Sequence, residues 1–377
     1  MTKRHSGNER IKRHYLQFLK DAKGRDEASV DAVAQALDEF DSYSSFRDFK
    51  KFHIQQARGY KEKLLAATNA QTGRPLAAAT IHSRLAALKA FFEWLSREPG
   101  YRRTVKFADA AYFNPTDNMT RVATAHRYKE CATIRQIETT LSGMPSATDI
   151  ELRNRAVLAA TILTGARDRA LISFKLKHIH AAARMIDQDA REVHTKRAKT
   201  FTSWFFPVGD SIEKIVVDWV AYLRDNKQFG PDDPLFPKTL MVSNAEVGFH
   251  VAGLDRAHWS SAAPVRAIFK AAFESTGLPY RKPHSFRDTL VQLAYDLKLS
   301  AEEFKAWSQN LGHDSLLTTF SSYGTISPAR QGELLRGLAA STGARSALPD
   351  FDAMRRLFDQ IERDQRLPEK LSRKELV

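Results

Sequence analysis

Leu311-Gly312-His313-Asp314-Ser315-Leu316-Leu317-Thr318-Thr319-Phe320-Ser321-Ser322-Tyr323-Gly324 is the stretch on which the reading of this chain turns. Just ahead of it, Ser300-Ala301-Glu302-Glu303 is a capping-box pattern that starts a helix running through Phe304 and Trp307. Gly312 is a plausible stop for that helix, which leaves His313 at a junction. A short helix over Asp314–Ser322 then delivers Tyr323.

Working back toward the N-terminus, three more pieces fall in order. In His284-Ser285-Phe286-Arg287 the histidine and arginine lie three residues apart after Pro283, so a helix beginning there puts both on one face. His194-Thr195-Lys196-Arg197-Ala198-Lys199 is the basic centre of a strand signal between Arg184 and Val208, read as a β-hairpin or short three-stranded sheet. Thr164-Gly165-Ala166-Arg167 ends an apolar helix containing Val157, Leu158, Ile162 and Leu163, and the glycine projects Arg167 from a fixed elbow. Two arginines, a lysine, two histidines and a tyrosine are suited to attacking a phosphodiester without a metal. Arginines hold non-bridging oxygens through forked hydrogen bonds. Lysine and histidine move protons, and tyrosine serves as a covalent nucleophile.

The ordered set resembles the tyrosine recombinase (phage integrase) family. The likeness runs from about residue 10 to 340 and is most specific from Arg167 to Tyr323. It implies a mainly helical fold with a small β-sheet, built as a two-domain DNA clamp. It also implies a DNA-cleaving and DNA-rejoining enzyme. Tyr323 would attack the scissile phosphate, Arg167 and Arg287 would stabilise its oxygens, and His284 would take the phenol proton. Lys196, first of the lysine pair, would protonate the leaving 5′-oxygen, and His313 would hydrogen-bond the phosphate. Lys199 is left as a backbone-phosphate contact, with Arg84 and Lys89 as weaker DNA contacts. Three departures stand out. Ala170 occupies the place of a family glutamate, Asp288 replaces a second histidine, and Tyr323 comes one residue later than the commonest spacing. Ser322 holds the commoner offset and is the rival nucleophile, set aside because serine means a different recombination family on a different fold.

Composition agrees. Lys and Arg number 58 against 44 Asp and Glu, a net charge of +14. Residues 1–120 carry 21 basic and 14 acidic side chains, half of that excess. Both parts are therefore basic, as a protein contacting phosphates along DNA requires. One cysteine, Cys131, excludes an internal disulfide. No apolar run is long enough to span a bilayer and no export signal opens the chain, so a cytoplasmic, nucleoid-associated protein without a membrane partner is expected. No cofactor is expected, since nothing resembles a P-loop or a carboxylate metal cluster.

The N-terminal part reads as helices over 11–19, 30–40, 46–65 and 79–95, the last with Ile81, Leu85, Leu88 and Phe92 on one stripe. The expected organisation is a core-binding domain over 1–110, a linker over 111–130, a catalytic domain over 131–345 and a helical tail over 346–377. In that tail Phe351, Met354, Phe358 and Ile361 recur at helical spacing, which suits docking on a neighbouring protomer. The partners implied are duplex DNA with inverted-repeat core sites and further copies of the chain in a synaptic tetramer. Two alternatives are a catalytically silent DNA-binding regulator and a type IB topoisomerase-like enzyme.

Overall fold

The computed structural model describes residues 4–341 except 71, 126, 127, 129, 245–247, 324 and 325. The expected tail 346–377 and Gly324 lie outside the described residues. The chain divides into two units, with the boundary between residues 125 and 126.

The first unit contains helices α1 (Ser6–Asp21), α2 (Glu27–Tyr43), α3 (Ile54–Ala66), α4 (Ala78–Leu95) and α5 (Asp117–Thr124). Local chemistry sets the starts. Asp26 caps α2 by accepting from Ser29 N at 2.8 Å, and His53 with Gln56 forms a capping box on α3. The helix expected over 46–65 is broken at its beginning. Ser45 and Phe46 take positive φ, a 3-10 turn follows at Phe49–Lys51, and α3 begins only at Ile54. Ile81, Leu85, Leu88, Phe91, Phe92 and Leu95 of α4 are all buried, as their spacing required. They meet Phe40, Phe52 and Phe113 in an aromatic core, with Phe40 edge-on to Phe92 at 5.5 Å. The stretch 111–130, expected as a linker, contains Phe113 of this core and α5, whose Met119 packs against it.

The second unit begins with α6 (Ile134–Gly143), α7 (Asp149–Thr164) and α8 (Asp168–Leu171). Helix α7 is started by a Thr148–Glu151 capping box and is apolar nearly all round from Ala156 to Leu163, so it runs through the middle of the core. Strands β1 (Ile179–His180), β2 (Met185–Gln188) and β3 (Phe201–Trp204) form an antiparallel sheet in that order, with Ile186 opposite Ser203. Then come α9 (Asp210–Ala221), β4 (Lys238–Asn244), β5 (Gly248–Asp255), α10 (Ala263–Ser275), α11 (Ser285–Asp296) and α12 (Ala301–Asn310). The unit ends with α13 (Leu316–Thr318), a π-helical turn at Thr319–Tyr323, and α14 (Pro328–Ser341). The β4–β5 hairpin is absent from the sequence reading. A bulge between Leu240 and Met241 breaks its register, so period-2 alternation is weak there.

Candidate active site

Two glycines let the site close. Gly165 ends α7 with φ +63°, and a Cβ on it would fall 2.8 Å from Leu311 and 3.1 Å from Phe206. Gly312 has φ +69°, and a Cβ there would strike the Phe201 ring at 2.6 Å. Each glycine therefore allows a reversal and a close packing that a larger residue would prevent. The first brings the Gly165 carbonyl and Arg167 toward α11. The second packs the turn before His313 against Phe201 of β3.

Arg287 is at the centre, on the first turn of α11 and only 2% exposed. Its Nη1 donates to Gly165 O at 2.6 Å, and its Nη2 donates to Leu311 O at 2.6 Å and to His313 Nε2 at 2.7 Å. Its Nε donates to Tyr323 Oη at 3.3 Å. Burial, with Arg167 nearby, pushes the Arg287 pKa down to about 10, although Tyr323 partly offsets this. The sequence suggested a fork free to grip phosphate, but here the protein itself occupies most of that fork. A guanidinium has five N–H donors, and four of them are engaged.

His313 is buried and lies on the Tyr323 ring, with centroids 4.9 Å apart and planes at 19°. Its Nδ1 meets Thr319 Oγ1 at 2.7 Å. Burial first, then the positive charges of Arg287, Arg167 and Lys199, push its pKa down to about 3. The imidazole is therefore neutral at pH 7 and receives a hydrogen bond from Arg287. The sequence had expected it to donate to phosphate.

Tyr323 is buried at the end of the π turn, and its Oη lies 3.2 Å from His284 Nε2. The π turn explains the late tyrosine. Its i→i+5 ring holds one residue more than an α turn, so an extra residue is absorbed and Tyr323 still reaches His284 and Arg287. His284 sits at the start of α11, one turn from Arg287, which is how both reach one phenol oxygen.

Arg167 is half-buried at the start of α8, and its guanidinium has no hydrogen-bond partner among the described residues. Next to it, Asp168 is paired with Arg266 at 3.1 Å, which ties the elbow to α10. Arg167, Arg287 and Lys199 all act electrostatically on His313, so the field here favours an anion.

The two lysines separate. Lys196 is exposed, and the structure does not bring it to this cluster. Between the lysines, Arg197 and Ala198 both take positive φ, reversing the chain. Only Lys199 reaches across, donating to Asp314 Oδ1 at 2.6 Å, one residue from His313. The sequence preferred Lys196, and of the two it is Lys199 that lies beside His313. In the first unit, Arg84 pairs with Glu39 at 2.9 Å and Lys89 with Glu93 at 3.7 Å, so neither is an unengaged cation. Sequence reasoning passed over Thr319, Ser308, Asp314 and the Gly165 and Leu311 carbonyls. Thr318 and Thr319 were visible as a pair, but nothing in the sequence says which hydroxyl faces inward.

Residues 13–99 match the family model for the phage integrase N-terminal SAM-like domain. No curated protein matches the chain. Among solved structures, the chain is similar to a lambda integrase (75–356) dimer bound to a COC′ core site. That likeness is at 14% identity, covering 84% of this chain and 94% of that one, with a TM-score of 0.58. A Tn1549 transposon integrase in complex with transposon right end DNA gives 12% identity, 87% and 99% coverage, and a TM-score of 0.51. A lambda integrase tetramer bound to a Holliday junction gives 14% identity, 85% and 79% coverage, and 0.52. The fold is that of these enzymes, and the resemblance to the tyrosine recombinase family holds.

Proposed function

We propose that this chain, with its tyrosine recombinase fold and integrase-type N-terminal domain, is a site-specific DNA recombinase acting through a 3′-phosphotyrosine bond. The observation that carries the proposal is the setting of one oxygen, Tyr323 Oη, between Arg287 Nε at 3.3 Å and His284 Nε2 at 3.2 Å. An arginine nitrogen only donates, so the phenol proton is left to point at His284. His284 Nε2 takes that proton as Tyr323 Oη bonds to phosphorus. The bond from phosphorus to the 5′-oxygen breaks, and Lys199 gives that oxygen a proton. Arg167, half-buried and without a hydrogen-bond partner among the described residues, binds the non-bridging oxygens, and Arg287 stabilises the charge that develops beside it. Reversal with a new 5′-hydroxyl rejoins the strand. The phosphotyrosine conserves the energy of the broken bond.

The partner in this proposal is duplex DNA with inverted-repeat core sites, bound by copies of the chain that assemble into a tetramer. What supports this is the net charge of +14 shared by both parts of the chain, and a fold found in a lambda integrase dimer on a core site and a tetramer on a Holliday junction. The test uses nicked half-site DNA, selected for binding by this chain, from which the 5′-hydroxyl fragment escapes after cleavage. The wild-type chain accumulates a covalent adduct. Tyr323→Phe forms none while binding DNA as before. An adduct formed by the Phe variant would refute the assignment.

A further inference from the structure

Behind the reacting groups lies a line of buried hydrogen bonds that the proposed chemistry does not use directly. Ser308 Oγ, on α12, is 2.7 Å from Thr319 Oγ1, and Thr319 Oγ1 is 2.7 Å from His313 Nδ1. His313 Nε2 is in turn 2.7 Å from Arg287 Nη2. Ser308 is 2% exposed, Thr319 0% and His313 5%, so no group on this line has bulk water as a substitute partner.

The order of the protons on this line is fixed from Arg287 as far as Thr319. The Arg287 guanidinium donates and cannot accept, so His313 Nε2 must present its lone pair. A neutral imidazole then carries its proton on Nδ1, which faces Thr319. Thr319 Oγ1 accepts that proton's hydrogen bond, and its hydroxyl also bonds Ser308 Oγ, a bond in which either oxygen can donate. The depressed pKa of His313 agrees with a neutral ring.

We infer that Thr319, backed by Ser308, is a positioning residue that fixes the tautomer and ring plane of His313, so that Nε2 is the nitrogen turned toward the reacting oxygens. The inference rests on the proposed strand-cleavage reading for its consequence, but its geometry does not depend on it. Thr319 belongs to the same π turn as Tyr323, so one side chain ties the histidine to the segment that carries the nucleophile. The bond also survives a change of charge. If an arriving phosphate draws Arg287 away and a proton joins Nε2, Nδ1–H still points at Thr319. His313 then donates from Nε2 to a phosphate oxygen without turning. A Ser308–Thr319 pair is thus compatible with both the resting acceptor and the donor that the sequence anticipated.

Two measurements on the full chain test this. In the protein without DNA, 15N-histidine NMR reads the tautomer, with His313 assigned through the signal lost in His313→Gln. The expected spectrum has Nδ1 protonated and Nε2 bare in the wild type and in Thr319→Ser. In Thr319→Val, which keeps the shape but has no hydroxyl, it shows a mixture or the reverse. On nicked half-sites, Thr319→Val slows adduct formation by about tenfold to a hundredfold, the range expected when a reacting group loses its orientation, and Thr319→Ser restores most of it. An Nδ1–H tautomer retained in full by Thr319→Val, or wild-type cleavage by that variant, would overturn the inference. If the wild type forms no adduct at all, the strand-cleavage reading fails, while the tautomer measurement still decides the role of Thr319.

Discussion

Lys12 in the first unit and Arg287 in the second are both buried cations, and they are treated in opposite ways. In the first unit Lys12 is 4% exposed and surrounded by carboxylates. Its Nζ lies 2.7 Å from Glu9, 2.6 Å from Asp38 and 2.9 Å from the fully buried Asp41, which also accepts from Asn8 at 2.8 Å. Burial alone would lower the Lys12 pKa, but the hydrogen bonds Lys12 donates to Asp38, Glu9 and Asp41 outweigh it and hold the pKa above the ordinary value. In the second unit, Arg287 is equally buried, yet the groups it donates to are two carbonyls, an imidazole and a phenol. None is an anion, and its pKa falls instead of rising. A cation held without a counter-ion costs desolvation and gains nothing from pairing. Arg153 is held in the same way by Asn154, the Pro237 carbonyl and Thr239, with its pKa also pushed down to about 10, so what distinguishes Arg287 is its place beside Tyr323 and His313. Lys12 is a structural clamp between α1 and α2, whereas Arg287 has no anion among its hydrogen-bond partners, which is what the proposed phosphate role requires.

The comparison breaks most visibly when the same change is made at both places. Lys12→Met strands three carboxylates and should cost the first unit about 3–5 kcal/mol, read by thermal or urea unfolding. Arg287→Met leaves the Gly165 and Leu311 carbonyls without their donor but also relieves the desolvation of an unpaired charge, and this offset should make its net stability loss the smaller of the two. Adduct formation on nicked half-sites should nonetheless fall on the order of a hundredfold or more. Equal stability losses from the two variants would remove the distinction.

A second test separates the lysines. Lys199→Ala should slow cleavage about a hundredfold on ordinary DNA and recover with sulfur at the bridging 5′ position, since a thiolate leaves without a general acid. Lys196→Ala should do neither. The opposite pattern would return the role to Lys196 and imply that the Arg197–Ala198 turn rearranges on DNA.

Acid provides a third, smaller effect. The folded pKa of His313 is about 3, well below its ordinary value of 6.5. The unfolded chain therefore binds this proton more readily, and the neutral ring's contribution is fully present above pH 6.5. It is lost as pH falls from 6.5 toward 3, at a slope of at most about 1.4 kcal/mol per pH unit. Carboxylates with depressed pKa values, such as Asp314, add loss of the same sign. The informative quantity is therefore wild type minus His313→Gln, which should show a steeper acid loss in the wild type. The smallest effect is expected from deleting Ser321, because the π turn can revert to an α turn and keep Tyr323 in place. Adduct formation should survive that deletion far better than an equivalent one-residue deletion inside α11.

Much of this architecture is legible in the chain because the signals are local. The α4 stripe from Ile81 to Leu95 is buried as its spacing requires, and the Ser300–Glu303 capping box forms, with Glu303 Oε2 accepting from Ser300 N at 2.7 Å. Gly165 and Gly312 mark reversals that their φ values require. The failures occur where distant parts decide. Two positive-φ residues split the helix expected over 46–65, and a bulge hides the β4–β5 pairing. The place of Lys199 beside His313 depends on Asp314, more than a hundred residues away in sequence. Thr319 gains meaning only when Ser308 and His313 pack against it. Spacing also suggested a late tyrosine without saying how it is accommodated, and the π turn supplies the answer.

In the proposed reaction an uncompensated cation site activates Tyr323 toward a DNA phosphate. The most direct test is mass spectrometry of the adduct trapped on a nicked half-site, after protease and nuclease digestion. A 3′-phosphate-linked nucleotide on Tyr323 is the predicted result. The same nucleotide on Ser322 or on any other residue, or no adduct from a chain that binds the site, would contradict it.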